Sequence, residues 1–552
     1  MRVTTMLLAV LFAGAVSAQA TFSVGGTVAA NTQNFLVVDI DFASSAAPLA
    51  VTLSIAGNSS TDGLDVFLGD LDAIAATGFT GTADQGNDAG TGTINLSVTS
   101  GSYSGVHQFA IAINSDTGGG PVTYTGTLTV AALSAGAITQ AETNTFAPNG
   151  YTEVNRLFSR AIQTRWSVDS SATPQPMEFL VDFGSVAQSI TFAVLGNGDI
   201  AGDLEVFEVL ANGTATSLGT LTGATTNWTS DSTFTTSSRS GVVRIRVLAD
   251  TADLNFDWTA ILPSTASIQQ YSQFTVTGSL VADGETLHHF TVDFGATANT
   301  VMVQFSNFVE TGSFDAAFFN PDDLATGGMA AGVIPLTTEV LFLSGQGVTD
   351  FLFSLNENSG AAATYDITVD VSVAPGDLSL VEGKTFGATR PFQSLFGLAV
   401  VGDESPIGAG TITHEFNVDF GGTLHTADIW FQCDGPTGVT AELFEIDSGG
   451  SPVSLSTLTP AGMSDEANIS SSSRSGTVRF RLVITTTGAA DVRYAVVFDS
   501  SVTVATFGPG GGGGGGGSDS SCSTGAEQGW ALLLLAAMSA VAVALRTRRS
   551  AR

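Results

Sequence analysis

Residues Phe179–Gly184 read Phe-Leu-Val-Asp-Phe-Gly, and close variants stand at Phe290–Gly295 and Phe416–Gly421, with a looser copy at Val38–Ala43. In each copy the large apolar residues occupy alternate positions. An extended strand has a side-chain period of two, so the pattern predicts strands that bury one face and expose the other. The Gly that follows three of the copies favours a turn at the end of the strand. Four copies predict four similar β units.

The composition also indicates an all-β chain. Its 552 residues exceed what a single hydrophobic core serves, and only 12% of them are charged. Short apolar runs separated by Gly, Asn and Asp are typical of β-sandwiches, and no amphipathic helix is evident between the two ends of the chain. We predict four tandem, jelly-roll-like β-sandwiches.

The four units fall into two alternating kinds, which predicts an A-B-A-B duplication. The matched segments, first with third and then second with fourth, are Phe22–Val28 with Phe274–Leu280, Phe109–Asn114 with Phe351–Asn356, Val206–Val209 with Leu443–Ile446, and Ser238–Gly241 with Ser473–Gly476. The predicted segments are a signal peptide (1–20), sandwich A1 (21–133), sandwich B1 (134–263), sandwich A2 (264–374), sandwich B2 (375–505), a Gly/Ser-rich linker (506–529), a transmembrane helix (530–545) and a basic cytoplasmic end (546–552).

Units A1 and A2 share a set of motifs that points to a known family. In A2 these motifs are Gly278–Leu280, His289–Phe294, Phe314–Phe318 and Tyr365–Val369, and A1 repeats the third as Leu64–Leu68. They resemble the bacterial pre-peptidase C-terminal domain. The resemblance implies a β-sandwich accessory fold found beside secreted peptidases and in surface proteins, without catalysis of its own.

The first twenty residues have the pattern of a secretory signal peptide. A positive residue, Arg2, precedes an apolar run over residues 6–16, and the stretch closes with an Ala-x-Ala ending. This arrangement predicts a signal helix with cleavage after Ala18 or Ala20.

The C-terminal tail combines a Gly run (Gly510–Gly517), Cys522, an apolar run over 530–545 and a basic end. These sixteen residues span ~24 Å as a helix, which is short for a ~30 Å hydrocarbon core. The tail resembles bacterial C-terminal sorting tags of the GlyGly-CTERM and MYXO-CTERM kind. The resemblance implies a temporary anchor cut by a membrane protease, with Cys522 as the residue for processing or lipidation. The alternative is an ordinary single-span anchor with an incidental thiol.

A formal charge of −34 argues against a nucleic-acid partner, because phosphates would be repelled and no basic stripe is present. Acidic loops make calcium the metal candidate, since Ca²⁺ takes oxygen ligands, although Asp in turns also serves local hydrogen bonding. The candidate calcium ligands are Asp62, Asp65, Asp70, Asp72, Asp199, Asp203, Asp322 and Asp323. We expect no other cofactor.

No catalytic motif is found. His288 and His289 are neighbours on a predicted strand, so their side chains should point to opposite faces and cannot share one metal ion. The two arginine pairs Arg244/Arg246 and Arg479/Arg481 are expected to form ion pairs across strands. Among the tryptophans, Trp430 is expected in a core and Trp228 is the more plausible exposed one.

The sequence therefore predicts an exported, non-enzymatic β-sandwich repeat protein with a structural or adhesive role. It would be held at the cell surface or outer membrane, or released to the medium. Its partners would be the cell envelope, a sorting protease and a glycan or matrix. A carbohydrate- or calcium-binding module array is an alternative and predicts an exposed aromatic pair. Accessory domains of a secreted hydrolase are another, and they predict a pocket with a His near a carboxylate or Ser.

Overall fold

The computed structural model describes residues 19–506 apart from 31, 44–46, 58–62, 89–91, 116–120, 147–152, 168–174, 199–201, 211–212, 225–229, 251–254, 283, 312–313, 327–332, 336–340, 358–359, 388–389 and 463. Within these residues the fold is all-β, with 38 strands, two short helices and eight antiparallel sheets. The described part of the chain contains no helix with the length and apolarity to cross a membrane. The predicted signal cleavage residue Ala18, the transmembrane segment 530–545 and Cys522 lie outside the described residues.

The chain divides into two compact units, and the first holds residues up to Gln270 apart from 211–214. Its elements are β1 (Gln19–Val28), β2 (Gln33–Asp41), β3 (Ala50–Gly57), β4 (Leu64–Asp70), α1 (Leu71–Thr77), β5 (Ala83–Asp88), β6 (Thr93–Thr99), β7 (Val106–Ser115), β8 (Val122–Ala131), β9 (Ile138–Phe146), β10 (Glu153–Phe158), β11 (Ala161–Ser167), β12 (Gln175–Asp182), β13 (Thr191–Gly198), β14 (Gly202–Val209), β15 (Ala215–Ala224), β16 (Ser230–Thr235), β17 (Val242–Asp250), β18 (Asn255–Ile261) and β19 (Ser267–Gln269). Its sheets have the orders β1-β8-β3-β6, β5-β4-β7-β2-β9, β10-β11-β18-β13-β16 and β15-β14-β17-β12-β19.

The second unit begins at Tyr271 and also includes 211–214. Its elements are β20 (Ser272–Leu280), β21 (Glu285–Asp293), β22 (Asn299–Glu310), β23 (Phe314–Phe319), α2 (Pro321–Ala325), β24 (Val333–Pro335), β25 (Leu341–Gly345), β26 (Val348–Glu357), β27 (Ala363–Val371), β28 (Leu378–Phe386), β29 (Gln393–Leu395), β30 (Ala399–Ile407), β31 (Gly410–Asp419), β32 (Asp428–Asp434), β33 (Val439–Ile446), β34 (Pro452–Leu458), β35 (Asp465–Ser470), β36 (Thr477–Thr486), β37 (Ala490–Phe498) and β38 (Thr503–Thr506). Its sheets have the orders β20-β27-β22-β25, β24-β23-β26-β21-β28, β29-β30-β37-β32-β35 and β34-β33-β36-β31-β38.

The repeated Phe-x-Val-Asp-Phe-Gly phrase forms the strands that its alternation predicts. In β21 the side chains of Phe290 and Val292 are buried, as is Phe294 just after the strand, whereas Asp293 is exposed. The other three copies bury their alternate apolar residues in the same way. The copies on β2, β21 and β31 each lie in an apolar core cluster, so alternation positions these cores.

The second face of some of these strands is also buried, which the alternation did not predict. On β2 the residues Val38 and Ile40 face the sandwich core, and their neighbours Phe35 and Val37 are buried in a separate apolar cluster. That cluster joins the five-stranded sheet of β2 to the sheet that contains β11, β13 and β18. We call it the first seam. A matching cluster in the second unit, the second seam, includes Leu287 and Leu352 on one side and Trp430 and Val497 on the other.

A short helix takes part in each seam. Asp70 caps the N-terminus of α1 by accepting a hydrogen bond from the Ala73 N–H at 3.2 Å, and Leu71 and Ile74 of α1 are buried in the first seam. Asn320 caps α2 in the same way through the Asp322 N–H at 2.9 Å, and Leu324 belongs to the second seam. Both helices were absent from the sequence-based expectation.

Candidate binding cleft

The first seam leaves an open cleft of about 750 Å³ beside its apolar cluster. One wall comes from the five-stranded sheet of β2, β4 and β7, and the other from β10, β11 and β18. Phe35, Phe158 and Ile261 line the cleft and are buried, so its inner surface is apolar. A volume of this size is within the ~300–1,000 Å³ range of small-molecule sites in proteins.

Two half-buried aromatic rings also line the cleft. The ring centroids of Phe67 and Phe79 are 6.4 Å apart, with an interplanar angle of 53°. Phe67 lies on β4 between the inward-facing Val66 and Leu68, so its side chain is on the opposite face of the strand. Phe79 follows α1, and its backbone N–H donates a hydrogen bond to the carboxylate of Asp231 on β16. This contact links the turn after α1 to the sheet of β10, β11 and β18.

Polar side chains complete the lining, and they are carboxylates, amides and hydroxyls. They are Gln33, Asp65, Thr80, Asp84, Gln85, Asn114, Gln163, Asp231 and Thr259. The Asp84 carboxylate accepts hydrogen bonds from the backbone N–H groups of Gln85 at 3.0 Å and Ser97 at 2.8 Å, which hold it in place. Among the described residues that line this cleft there is no Lys, Arg, His, Ser or Cys. The cleft therefore presents negative and neutral polar groups around an apolar floor.

The structure places two of the calcium candidates, Asp70 and Asp72, in a polar cluster at α1 rather than in a loop. Asp70 is fully buried and accepts a hydrogen bond from the Tyr103 hydroxyl at 2.9 Å. Burial raises the pKa of Asp70, although hydrogen bonds from Ala73 and Tyr103 oppose the rise. Asp72 contacts the Arg160 guanidinium at 2.5 Å and His107 Nδ1 at 2.8 Å.

The two Asp72 contacts decide its protonation state. Burial alone would raise the pKa of Asp72, but the Arg160 charge and the hydrogen bonds of His107 and Arg160 outweigh it and lower the pKa. Burial also lowers the pKa of Arg160, against the charge of Asp72. The imidazole of His107 stacks on Tyr103 with ring centroids 3.8 Å apart. The cluster is thus an ion-paired structural junction between α1, β7 and the turn after β10.

The remaining calcium candidates are dispersed. Asp322 and Asp323 lie in the first turn of α2, and the Asp322 carboxylate accepts hydrogen bonds from the Ser500 N–H at 2.5 Å and hydroxyl at 2.9 Å. Asp65 lines the cleft, and Asp203 is exposed on β14. Asp62 and Asp199 lie outside the described residues. In the described part of the chain no group of three or more His, Cys, Asp or Glu side chains is placed to hold a metal ion.

The adjacent histidines have separate surroundings, as predicted. His289 Nε2 lies 2.6 Å from Asp350 Oδ1 and its ring is beside Phe396 of the second seam. The ring of His288 is instead beside Phe353 of the sandwich core, with centroids 6.1 Å apart. A third histidine, His414, approaches Glu404 at 2.8 Å. A hydrolase would need a histidine–carboxylate pair in the cleft. Neither His289–Asp350 nor His414–Glu404 lines it.

The arginines after the repeated Ser-Arg-Ser-Gly motifs form ion pairs, which confirms the prediction of cross-strand pairing. Arg244 and Arg246 both contact Glu178, at 3.3 and 2.6 Å, and Arg479 and Arg481 contact Glu415 at 3.6 and 2.7 Å. The motif arginines Arg239 and Arg474 pair with Glu208 and Glu445, whose side chains are fully buried. These ion pairs have a structural role.

The aromatic residues of the cleft were not singled out from the sequence. Trp430 is buried in the second seam as expected, and Trp258 is also buried, while Trp228 lies outside the described residues. The cleft could have been identified from Phe35 and Phe67, because these large apolar residues stand at strand positions where the alternation predicts polar, exposed side chains.

The chain matches no known protein-family model and no curated protein sequence.

Proposed function

We propose that this chain is an exported, non-enzymatic β protein with a structural or adhesive role, attached to the cell surface or outer membrane through its C-terminal tail. The observation that carries the proposal is the pair of buried apolar seams. Relative motion is the default for neighbouring domains unless their interface is large and hydrophobic. Each seam buries large residues such as Phe35 and Ile261, or Trp430 and Val497, so each unit holds its two sandwiches in a fixed arrangement. A stiff body of this kind suits a protein that is displayed at the cell surface and contacts a partner there.

The proposed architecture is four sandwiches in an A-B-A-B duplication, with the segment boundaries given above. It is supported by the sheet orders, which run in the same sequence in both units when strands are counted from β1 and from β20. At two of the proposed boundaries, a strand that follows the boundary pairs with a strand that precedes it. Strand β9 lies beyond residue 133 but pairs with β2, and β28 lies beyond residue 374 but pairs with β21.

Signal cleavage is proposed after Ala18 rather than Ala20. Strand β1 begins at Gln19, and Ala20 is fully buried and paired with Val130 of β8. Cleavage after Ala20 would remove a core residue and the first two pairs of the β1–β8 ladder. Cleavage after Ala18 leaves the strand complete.

The test is surface localisation of two versions of the chain in its native host. The full chain is expected in the cell envelope and to be digested by protease added to intact cells. A version that ends at residue 506, which keeps all described strands, is expected in the medium. The variant Cys522→Ala separates lipidation from anchoring by the apolar helix. Full chain that remains in the cytoplasm, or truncated chain that stays on the envelope, would contradict the proposal.

A further inference from the structure

We propose that the cleft of the first unit binds a neutral oligosaccharide. This inference goes beyond the structural role and stands whether or not the chain is surface-attached, because it rests only on the geometry and chemistry of the cleft. No histidine or metal is required for it.

At three positions in matching register, the first seam has a smaller or more polar side chain than the second seam. Ala110 pairs with Val37 on β2, and the residue in the same register of the second unit, opposite His289 on β21, is Leu352. Ala193 pairs with Ile261, and its counterpart opposite Val497 is Trp430.

A third position follows the same trend. Gln163 pairs with Thr259, and its counterpart opposite Ala495 is Val401. Leu352, Val401 and Trp430 all belong to the apolar cluster of the second seam. The first unit therefore has two alanines and a glutamine where the second unit has large apolar side chains. At these three positions the first seam is less filled by apolar side chains and gains an amide, which suits a ligand site.

The polar lining selects hydroxyl groups. The amides of Gln33, Gln85, Asn114 and Gln163 each offer donors and an acceptor, and the carboxylates of Asp84 and Asp231 offer acceptors. A sugar hydroxyl both donates and accepts, so a ligand rich in hydroxyls satisfies both kinds of group. A cationic ligand would use the carboxylates and leave the amide N–H groups without partners. An anionic ligand would meet several carboxylates and no cation among the described lining residues.

The apolar lining suits the other surface of a sugar. Pyranose rings present C–H groups on their faces, and the half-buried rings of Phe67 and Phe79 offer an aromatic surface in the lining of the cleft. The cleft is partly open and is bounded by two sheets, which leaves room for a ligand of several sugar units. These features together favour an oligosaccharide over a small polar solute.

The test is isothermal titration of the purified full chain with neutral hexasaccharides of β-1,4-linked glucose, α-1,4-linked glucose, β-1,4-linked mannose and β-1,4-linked N-acetylglucosamine. Hexagalacturonate and hexalysine serve as the anionic and cationic members of the set. We expect at least one neutral member to bind, and hexagalacturonate not to bind. Absence of binding by every neutral member at millimolar concentration, or binding by hexalysine alone, would overturn the proposal.

Variants then locate the site. Phe79→Ala is expected to weaken binding at least tenfold. The double variant Ala110→Leu/Gln163→Val introduces two of the three second-seam residues, so it should fill the cleft and lose binding, and a cooperative thermal unfolding transition shows that it is folded. Gln273→Ala, an exposed change on β20, is the matched control for an altered glutamine. Binding that survives in the folded double variant would show that the ligand sits elsewhere and would overturn the assignment.

Discussion

The backbone N–H of Ala43 donates a 2.8 Å hydrogen bond to the Oδ1 of Asp41, and Ala43 has a φ of 52°. The same turn follows the three other copies of the repeated phrase, where Gly184, Gly295 and Gly421 donate to an Asp two residues earlier. These glycines also have positive φ, between 66° and 79°. Ala43 is therefore the one copy in which a Cβ is held in the left-handed region, where L-residues are strained.

The variant Ala43→Gly should relieve this strain and stabilise the first unit by about 0.5–1 kcal/mol, after allowance for the greater chain entropy of Gly. The converse change Gly184→Ala should destabilise it by about 1 kcal/mol through strain alone. A Cβ at Gly184 would meet no other atom within 4 Å, so no clash contributes. Urea unfolding of both variants measures the two free energies. An Ala43→Gly variant with a lower free energy of unfolding than the wild type would show that the positive φ of Ala43 does not strain the fold.

The buried carboxylate of Glu208 should make Arg239 important for stability. Arg239 Nε donates to Glu208, and the Ser237 N–H donates to it at 3.1 Å. Loss of the charge partner in Arg239→Ala leaves a buried carboxylate and should cost about 2–4 kcal/mol. Arg156, whose contact with Glu142 is 3.9 Å long and partly exposed, is the matched control, and Arg156→Ala should cost less than about 1 kcal/mol.

The Glu208 pair also predicts a pH dependence. Burial raises the pKa of Glu208, but the hydrogen bonds from Arg239 and Ser237 outweigh burial and lower it below its usual 4.5. An acid with a depressed pKa in the folded state stabilises the fold above the unfolded pKa and loses that contribution as pH falls through the folded value. The stability difference between the wild type and Arg239→Ala should therefore shrink below about pH 4.5. A difference that stays constant down to pH 2 would contradict the ion pair.

His288 predicts a second pH effect, in the second unit. Burial lowers its pKa from 6.5 to about 4. The folded state therefore favours neutral imidazole, and its free energy of unfolding should fall as pH drops from 6.5 toward 4, by up to about 3 kcal/mol. The variant His288→Gln cannot take up this proton. Its unfolding free energy, measured by urea denaturation at pH 7, 5.5 and 4, should fall less steeply than that of the wild type. Parallel curves would mean that His288 is accessible to protons in the folded state.

Local patterns in the sequence predicted the strands and their inner faces well. The alternation in β21 or β31 is a property of neighbouring residues, and the Asp-x-Gly endings specify their turns through local hydrogen bonds. The two short helices were missed although each has a recognisable start. Asp70 precedes Leu-Asp, and Asn320 precedes Pro-Asp-Asp, which are N-cap and first-turn patterns. Four of the acidic residues that suggested calcium loops, Asp70, Asp72, Asp322 and Asp323, lie at these helix starts.

The seams and the cleft could not be predicted in the same way. They depend on which sheets face each other, and that arrangement is set by contacts between residues more than one hundred positions apart, such as Phe79 with Asp231. Phe35 and Phe67 stood on the predicted exposed face and were the only local hint. The difference between Ala110 and Leu352 acquires meaning only when both seams are known.

The intact mass of the mature protein from envelope and from medium shows whether the chain is exported and held by a removable tail. We expect a chain that begins at Gln19 and ends before the apolar run at 530–545, with added lipid mass on Cys522 in the envelope form. A mature chain that still ends at Arg552 would contradict the removable tail, and one that retains Met1 would contradict export.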